Sequence, residues 1–334
     1  MKKVLSLILA LAMVFALVAC GEKQPASDGD ASGDGDKPAR GNVIMTFGTA
    51  DTGGSMYPAG AAVSQVWTNN VQGVKCNTQT STGSFQNCQD VSTGEVDVAV
   101  ATSDVVLNAY NGTGKFADIG KLDNLRVIGA VYTSVLSGVA LKSSGLTYIH
   151  DLLGKRVAVG PAASATENAT LAAFAAMDIT KDNTSLENLG LGDGADSVDG
   201  ILDAAFGFAG LPIGGQLNLA ATKEIQVLDM TQEEIDKVLA GNAAYIQTKI
   251  PAGTYTGQDN DANTFGVKCL IIVTADMDAD LVYDLCKAMN EHTEEMAAGN
   301  ALLKDMTDPS FLCTQMPIPL HDGAQKYYSE QGLI

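Results

Sequence analysis

Short apolar runs alternate with amphipathic stretches along most of this chain. Residues 43–48, VIMTFG, form the first run. A turn rich in small residues follows, and then a helical pattern over 59–67 with Ala62, Val63 and Val66 on one face. The order repeats: 71–79 reads as strand, 80–84 as a second turn and 85–93 as helix. Asp97-Val98-Ala99-Val100-Ala101 is a short buried strand, and Ser103 or Asp104 is placed to cap the next helix. Two further apolar runs, 125–132 and 136–141, close this series.

A second series begins near residue 146. The pattern predicts a short helix over 146–153, a strand over 156–160 and a third small-residue turn. Ser164-Ala165-Thr166-Glu167 fits a capping box, in which the serine accepts from one amide and the glutamate returns to the cap amide. Its helix runs to Met177. Residues 203–210 read as strand and tight turn, with Pro212 in the first turn of the next helix. A strand at 225–228, a charged helix at 232–239 and a loop at 250–263 follow. The β-rich run 265–274 is expected to return to the first lobe. A long amphipathic helix over 279–298 and a short one over 323–330 complete the chain. Strands alternating with helices predict an α/β fold with mostly parallel sheets covered on both faces.

Length and charge sharpen this picture. The 334 residues suit two lobes, and 46% hydrophobic content is ample for a core. The formal charge is −19, which argues against nucleic acid and against direct contact with anionic lipid. It leaves room for a small anion, because local N–H groups can outweigh a diffuse, screened field. Five cysteines besides Cys20 (Cys76, Cys88, Cys269, Cys286 and Cys313) match no zinc spacing and read as buried thiols.

The N-terminal residues carry a separate signal. Lys2 and Lys3 precede an apolar stretch over 4–18 that ends in Leu17-Val18-Ala19-Cys20-Gly21. This reads as a secretory signal peptide, 1–19, closed by a bacterial lipobox, with Cys20 lipidated and anchoring the chain to the membrane. Residues 20–42, rich in Gly, Asp, Ser and Ala, read as a flexible tether.

Three strand–turn–helix junctions carry glycine and hydroxyl residues: Gly53 to Ser55, Ser81 to Ser84, and Gly160 to Thr166. Together they predict a cleft lined by helix N-termini, whose free amides hold anions. None has the Gly-Lys-Ser/Thr of a phosphate loop, so a small carboxylate is favoured over a nucleotide. His150, His292 and His321 stand in unrelated contexts and read as surface or capping residues. Asp193, Asp196, Asp199 and Asp203 match no calcium loop and read as solvated. No catalytic residue, metal site or cofactor is expected.

Several motifs stand in the order of one family: Thr52-Gly53-Gly54-Ser55-Met56-Tyr57-Pro58, Gly154-Lys155-Arg156-Val157-Ala158-Val159-Gly160-Pro161, Asp203-Ala204-Ala205-Phe206, and Ile250-Pro251-Ala252-Gly253-Thr254-Tyr255 with Gly257-Gln258-Asp259. Pro317-Ile318-Pro319-Leu320-His321-Asp322-Gly323-Ala324 completes the set. Over 43–333 the chain resembles the TAXI-type solute-binding receptors of TRAP transporters. The resemblance implies a two-lobe, type II periplasmic-binding-protein fold, each lobe a mixed, mostly parallel sheet flanked by helices, with a ligand cleft between. Lobe I would comprise 43–134 plus 264–334 and lobe II 135–263. The implied partners are a small anionic or zwitterionic solute, such as glutamate or a 2-oxoacid, and an ion-gradient-driven TRAP permease. Carried over position by position, the implied ligand loops hold Thr52, Gly53, Gly54, Ser55, Met56 and Tyr57; Thr82, Gly83 and Ser84; Ser103; and Ser164, Ala165, Thr166 and Glu167. Ser81-Thr82-Gly83-Ser84 departs from the commoner double-glycine form. A ligand-sensing lipoprotein that signals without transport is the alternative reading; an enzyme lacks a nucleophile–base pair.

Overall fold

The computed structural model describes residues 41–50, 52 and 54–334. The signal-peptide and tether readings, Cys20 included, and Gly53 lie outside the described residues. From the N-terminal side, β1 (Val43–Gly48), α1 (Met56–Asn70), β2 (Val74–Gln79), α2 (Ser84–Thr93), β3 (Val98–Thr102) and α3 (Ser103–Asn111) lead into a strand of 17 residues, β4 (Leu125–Leu141). The second series is β5 (Arg156–Ala158), α4 (Ala165–Ala175), β6 (Ser185–Glu187), α5 (Leu191–Ser197), β7 (Ala204–Ala209), α6 (Gly214–Thr222), β8 (Ile225–Val227), α7 (Gln232–Gly241) and β9 (Ile246–Ile250). The chain returns along β10 (Ala262–Thr274) and ends in α8 (Ala279–Glu291), α9 (Thr293–Gly299), α10 (Pro309–Cys313) and α11 (Asp322–Glu330).

The architecture is mixed α/β, with two groups of strands and helices sharing one sheet: lobe I, built on β1, β2 and β3, and lobe II, built on β5, β6 and β7. Parallel pairs β1/β2 and β1/β3 lie in one half, and β5/β6 and β5/β7 in the other. The long antiparallel pair β4/β10 runs through both halves and joins the strands into one ten-stranded sheet. Its apolar residues explain its reach: nearly every side chain from Leu125 to Ala140 is buried, as expected of strands covered on both faces. Each half has its own pair of cores. In lobe I, α1, α8 and α11 cover one face, where Phe47 stacks on Trp67 at 5.5 Å, while α2 and α3 cover the other. In lobe II, Phe174 and Phe206 meet edge-on under α4 and α7, and α5 and α6 close the opposite face.

Several local expectations change. The runs 125–132 and 136–141 are one strand, because Thr133, Ser134 and Val135 continue the ladder against β10. The predicted helix at 146–153 is a single 3₁₀ turn, Ile149–Leu152. The helix expected over 279–298 breaks at His292 into α8 and α9. Pro212 lies before α6, whose N-cap is Ile213. Thr102, not Ser103 or Asp104, is the N-cap of α3. The short elements β6, β9 and α5 carry too few apolar positions to be read from their pattern. All five described cysteines are free and buried.

Candidate ligand cleft

The site begins with how the carboxyl ends of β1, β2 and β3 are tied together. Thr49 donates its N–H and its hydroxyl to the Gln79 carbonyl, both at 2.8 Å. The Thr49 carbonyl accepts from the Ser81 hydroxyl at 2.8 Å and from the Asn87 amide at 2.6 Å. Asn87 also donates to the Val100 carbonyl at 2.7 Å. Fully buried, Asn87 thereby fixes where the turns before α1 and α2 leave the sheet. In the second turn Gly83 has φ +114°, a conformation L side chains rarely adopt, and its N–H donates to Ser81 Oγ at 3.0 Å. Ser55, the N-cap of α1, makes no side-chain capping bond, and Gly83, the N-cap of α2, has no side chain to make one.

The lobe II turn is built differently. Ser164 Oγ accepts the Glu167 N–H at 3.1 Å, as the capping-box reading expects. The glutamate half of that reading needs correction. Glu167 Oε2 accepts from the Ala163 N–H at 2.7 Å, one residue before the cap, because Ala163 sits at φ +62° and turns its amide toward the carboxylate. The same carboxylate takes Lys115 of lobe I at 3.1 Å and Asn188 at 2.9 Å. Burial alone would raise the Glu167 carboxyl; the Ala163 N–H, Lys115 and Asn188 outweigh it and leave it below its ordinary value.

These turns converge on a cleft of about 670 Å³. Of the residues named from sequence, it brings together Gly54, Ser55 and Met56; Thr82, Gly83 and Ser84; and Ser164, Ala165 and Thr166. Others lie elsewhere. Thr52 is exposed and Tyr57 partly exposed, and neither lines the cleft. Ser103 is buried and donates to the Ala244 carbonyl at 3.5 Å. Glu167 stands behind the turn in the network just described. Thr82 lines the cleft but gives its hydroxyl proton to Gln86 Oε1 at 3.0 Å.

Among the described residues no lysine, arginine or histidine lines the cleft, and Asp193 is the one charged lining residue. Its polarity follows from hydrogen-bond counting. Ser55 Oγ accepts the Gly210 N–H across the lobes at 3.2 Å, and Thr166 Oγ1 accepts the Phe208 N–H at 3.1 Å. With Ser164, three hydroxyls thus spend acceptor capacity on backbone, and among the described residues none of their protons has a protein acceptor. A hydroxyl so engaged has its proton left to give. Burial holds the Tyr132 phenol far above its ordinary value, so it too faces the cleft neutral. Among the described lining residues, these hydroxyls face the cleft as donors, with one carboxylate and no cation beside them.

Sequence reading missed Tyr132, Ser134 and Asp193 among the lining residues. Tyr132 and Ser134 lie mid-strand in β4, where nothing local marks a site. Asp193 read as solvated loop. The C-terminal motif has a structural part: buried His321 accepts the Gly323 N–H as N-cap of α11, and a side chain at Gly323 would meet the Ala279 carbonyl at 2.2 Å. Tyr255, from the motif after β9, donates its hydroxyl to Gln216 Oε1 at 2.8 Å and accepts the Ile213 N–H at 3.1 Å, fixing the start of α6.

Residues 47–332 match the family described as NMT1-like. The chain belongs to the NMT1-like family. Among solved structures, this NMT1-like chain is similar to the alkanesulfonate-binding protein SsuA from Xanthomonas axonopodis pv. citri bound to MOPS, at 14% identity over 88% of this chain and 85% of that one, with a TM-score of 0.48. It is also similar to the periplasmic aliphatic sulphonate binding protein SsuA from Escherichia coli, at 13% identity over 87% and 78%, with a TM-score of 0.45. A putative L-cystine ABC transporter protein from Listeria monocytogenes is similar at 15% identity over 81% and 95%, with a TM-score of 0.45. Among the described residues no helix is long and apolar enough to cross a membrane, and no three metal-ligating side chains cluster.

Proposed function

We propose that this chain is an extracytoplasmic solute receptor that closes two lobes on a small carboxylate or amino acid and hands it to a membrane permease. The observation that carries the reading is the cleft at the N-termini of α1, α2 and α4, where the Ser55, Ser164 and Thr166 hydroxyls keep protons to give and no cation stands among the described lining residues. A carboxylate is an acceptor on every face, and charge-assisted bonds to it contribute about 1.5–3 kcal/mol each, so a few suffice for micromolar affinity after ordering costs. The moving bodies are residues 43–134 plus 264–334 and residues 135–263, with β4 and β10 as the connections. Ligand bridging both turns favours the closed arrangement and shifts the population toward it.

The resemblance of the sequence to TAXI-type receptors supports an ion-gradient-driven TRAP permease as the partner. The lipobox at Cys20 supports a lipid anchor, with the tether giving the body its reach. The cleft supplies no nucleophile–base pair, which favours binding over turnover. Mass spectrometry of small molecules released on denaturing the purified chain tests the receptor reading, followed by calorimetry with amino acids, dicarboxylates and 2-oxoacids. Binding of a carboxylate near micromolar supports it; a well-folded chain that binds none of them overturns it. For the anchor, membrane fractionation of a Cys20→Ser variant should show release of the body into the soluble fraction.

A further inference from the structure

The charge inside the cleft narrows the ligand. Among the described residues Asp193 is the single charged residue of the lining, it is exposed, and it forms no ion pair. Its carboxylate folds back toward the start of α5, where a side chain on Gly190 would stand 3.4 Å from Asp193 Oδ2. Beside the serine and threonine turns, the wall is hydrocarbon and aromatic: Met56, Tyr132, Pro161, Leu191 and Phe208. A second carboxylate on the ligand would find no cation here and would share the space with Asp193, and like charges in one low-dielectric site disfavour ionisation of both.

We propose that the ligand is a zwitterion with an apolar body, an α-amino acid bearing a hydrocarbon side chain. Its carboxylate lies against the amides and hydroxyls at the starts of α1, α2 and α4. Its ammonium faces Asp193, and its side chain lies along the apolar wall. A dicarboxylate such as glutamate or 2-oxoglutarate is a poorer fit. This assignment rests on the receptor reading and makes it specific.

The test is calorimetry on the full chain, freed of small molecules by dialysis, with four probes: leucine, its 2-oxo acid 4-methyl-2-oxopentanoate, glutamate and 2-oxoglutarate. The 2-oxo acid keeps the carboxylate and the hydrocarbon and lacks the ammonium. Leucine should bind at least about tenfold tighter than its 2-oxo acid, and the dicarboxylates should bind weakest. Asp193→Asn should cost leucine about that tenfold and leave the 2-oxo acid unchanged or tighter. An unchanged thermal unfolding curve will show that the variant is folded. Tightest binding by a dicarboxylate, or leucine binding indifferent to Asp193→Asn, overturns the zwitterion assignment and leaves the receptor reading standing. If none of the four binds to folded wild-type chain, both fail.

Discussion

The two jaws of the cleft begin their helices in opposite ways. In lobe I, α1 and α2 start without a capping side chain, and Gly83 stands in open space with no atom within 4 Å of where a Cβ would be. In lobe II, α4 is capped by Ser164, Glu167 binds the turn that precedes it, and Gly160 is crowded by Thr166 at 2.5 Å. Lobe I thus starts its helices without side-chain caps, although Ser81 and Gln86 hold the Gly83 and Thr82 amides, whereas lobe II caps its helix with Ser164 as well as bracing the turn with Glu167. Under the receptor proposal, this difference would let the ligand's carboxylate meet lobe I first, with the pre-shaped turn of lobe II arriving on closure.

Substitutions at the two glycines break this comparison most sharply. Gly160→Ala adds a clash with Thr166 to the strain of φ +93°, so it should lower stability by about 3 kcal/mol in denaturant unfolding. Gly83→Ala meets only the strain of its φ, and should cost about 1–2 kcal/mol while weakening ligand binding. Equal losses at both positions would remove the contrast between a crowded and an open jaw.

The serines come next. Ser84 Oγ accepts the buried Thr102 N–H at 3.0 Å, so Ser84→Ala orphans that amide and should cost about 1–3 kcal/mol. Ser164→Ala loses a cap and should cost about 0.5–2 kcal/mol. Both should also lower affinity in calorimetry. If Ser164→Ala lowers the apo melting temperature and leaves affinity intact, its hydroxyl is a cap and nothing more.

The Lys115–Glu167 pair between the lobes is the smallest effect. Lys115→Met should change stability by about 0.2–1 kcal/mol, and the change should vanish at high salt, since the lysine is well exposed. The pH dependence follows from the depressed Glu167 carboxyl. A carboxyl held below its unfolded value contributes stability that is present above that value, near 4.5, and is lost as pH falls through the folded one. Glu167→Gln should flatten the acid limb of the stability profile below about pH 4.5; an unaltered limb would show that other carboxylates set it.

Much of this was legible before any coordinates. The three Gly/hydroxyl turns predict one shared cleft, because glycine at a strand–helix junction and serine at a helix start have local causes. Nine of the residues named from them line the cleft. Those off the cleft lie there for separate reasons. Tyr57 and Glu167 each lie one or two positions beyond a turn, where the rotation of 3.6 residues per turn carries a side chain off the cleft. Ser103 heads a helix of lobe I, but Ala244 of lobe II covers it.

The sequence by itself determined the α/β alternation, the capping serine of α4, the buried thiols and the absence of a cationic phosphate loop, since each depends on residues close along the chain. Tertiary structure decided the rest. It fused two apolar runs into β4, set Tyr132 and Ser134 of that strand into the cleft wall, moved Glu167 from ligand to bracket, and put Asp193 in the cleft. Those outcomes depend on which strands pair and which turns meet across the cleft, and the neighbours that fix them lie tens to hundreds of residues apart, beyond the reach of any local pattern.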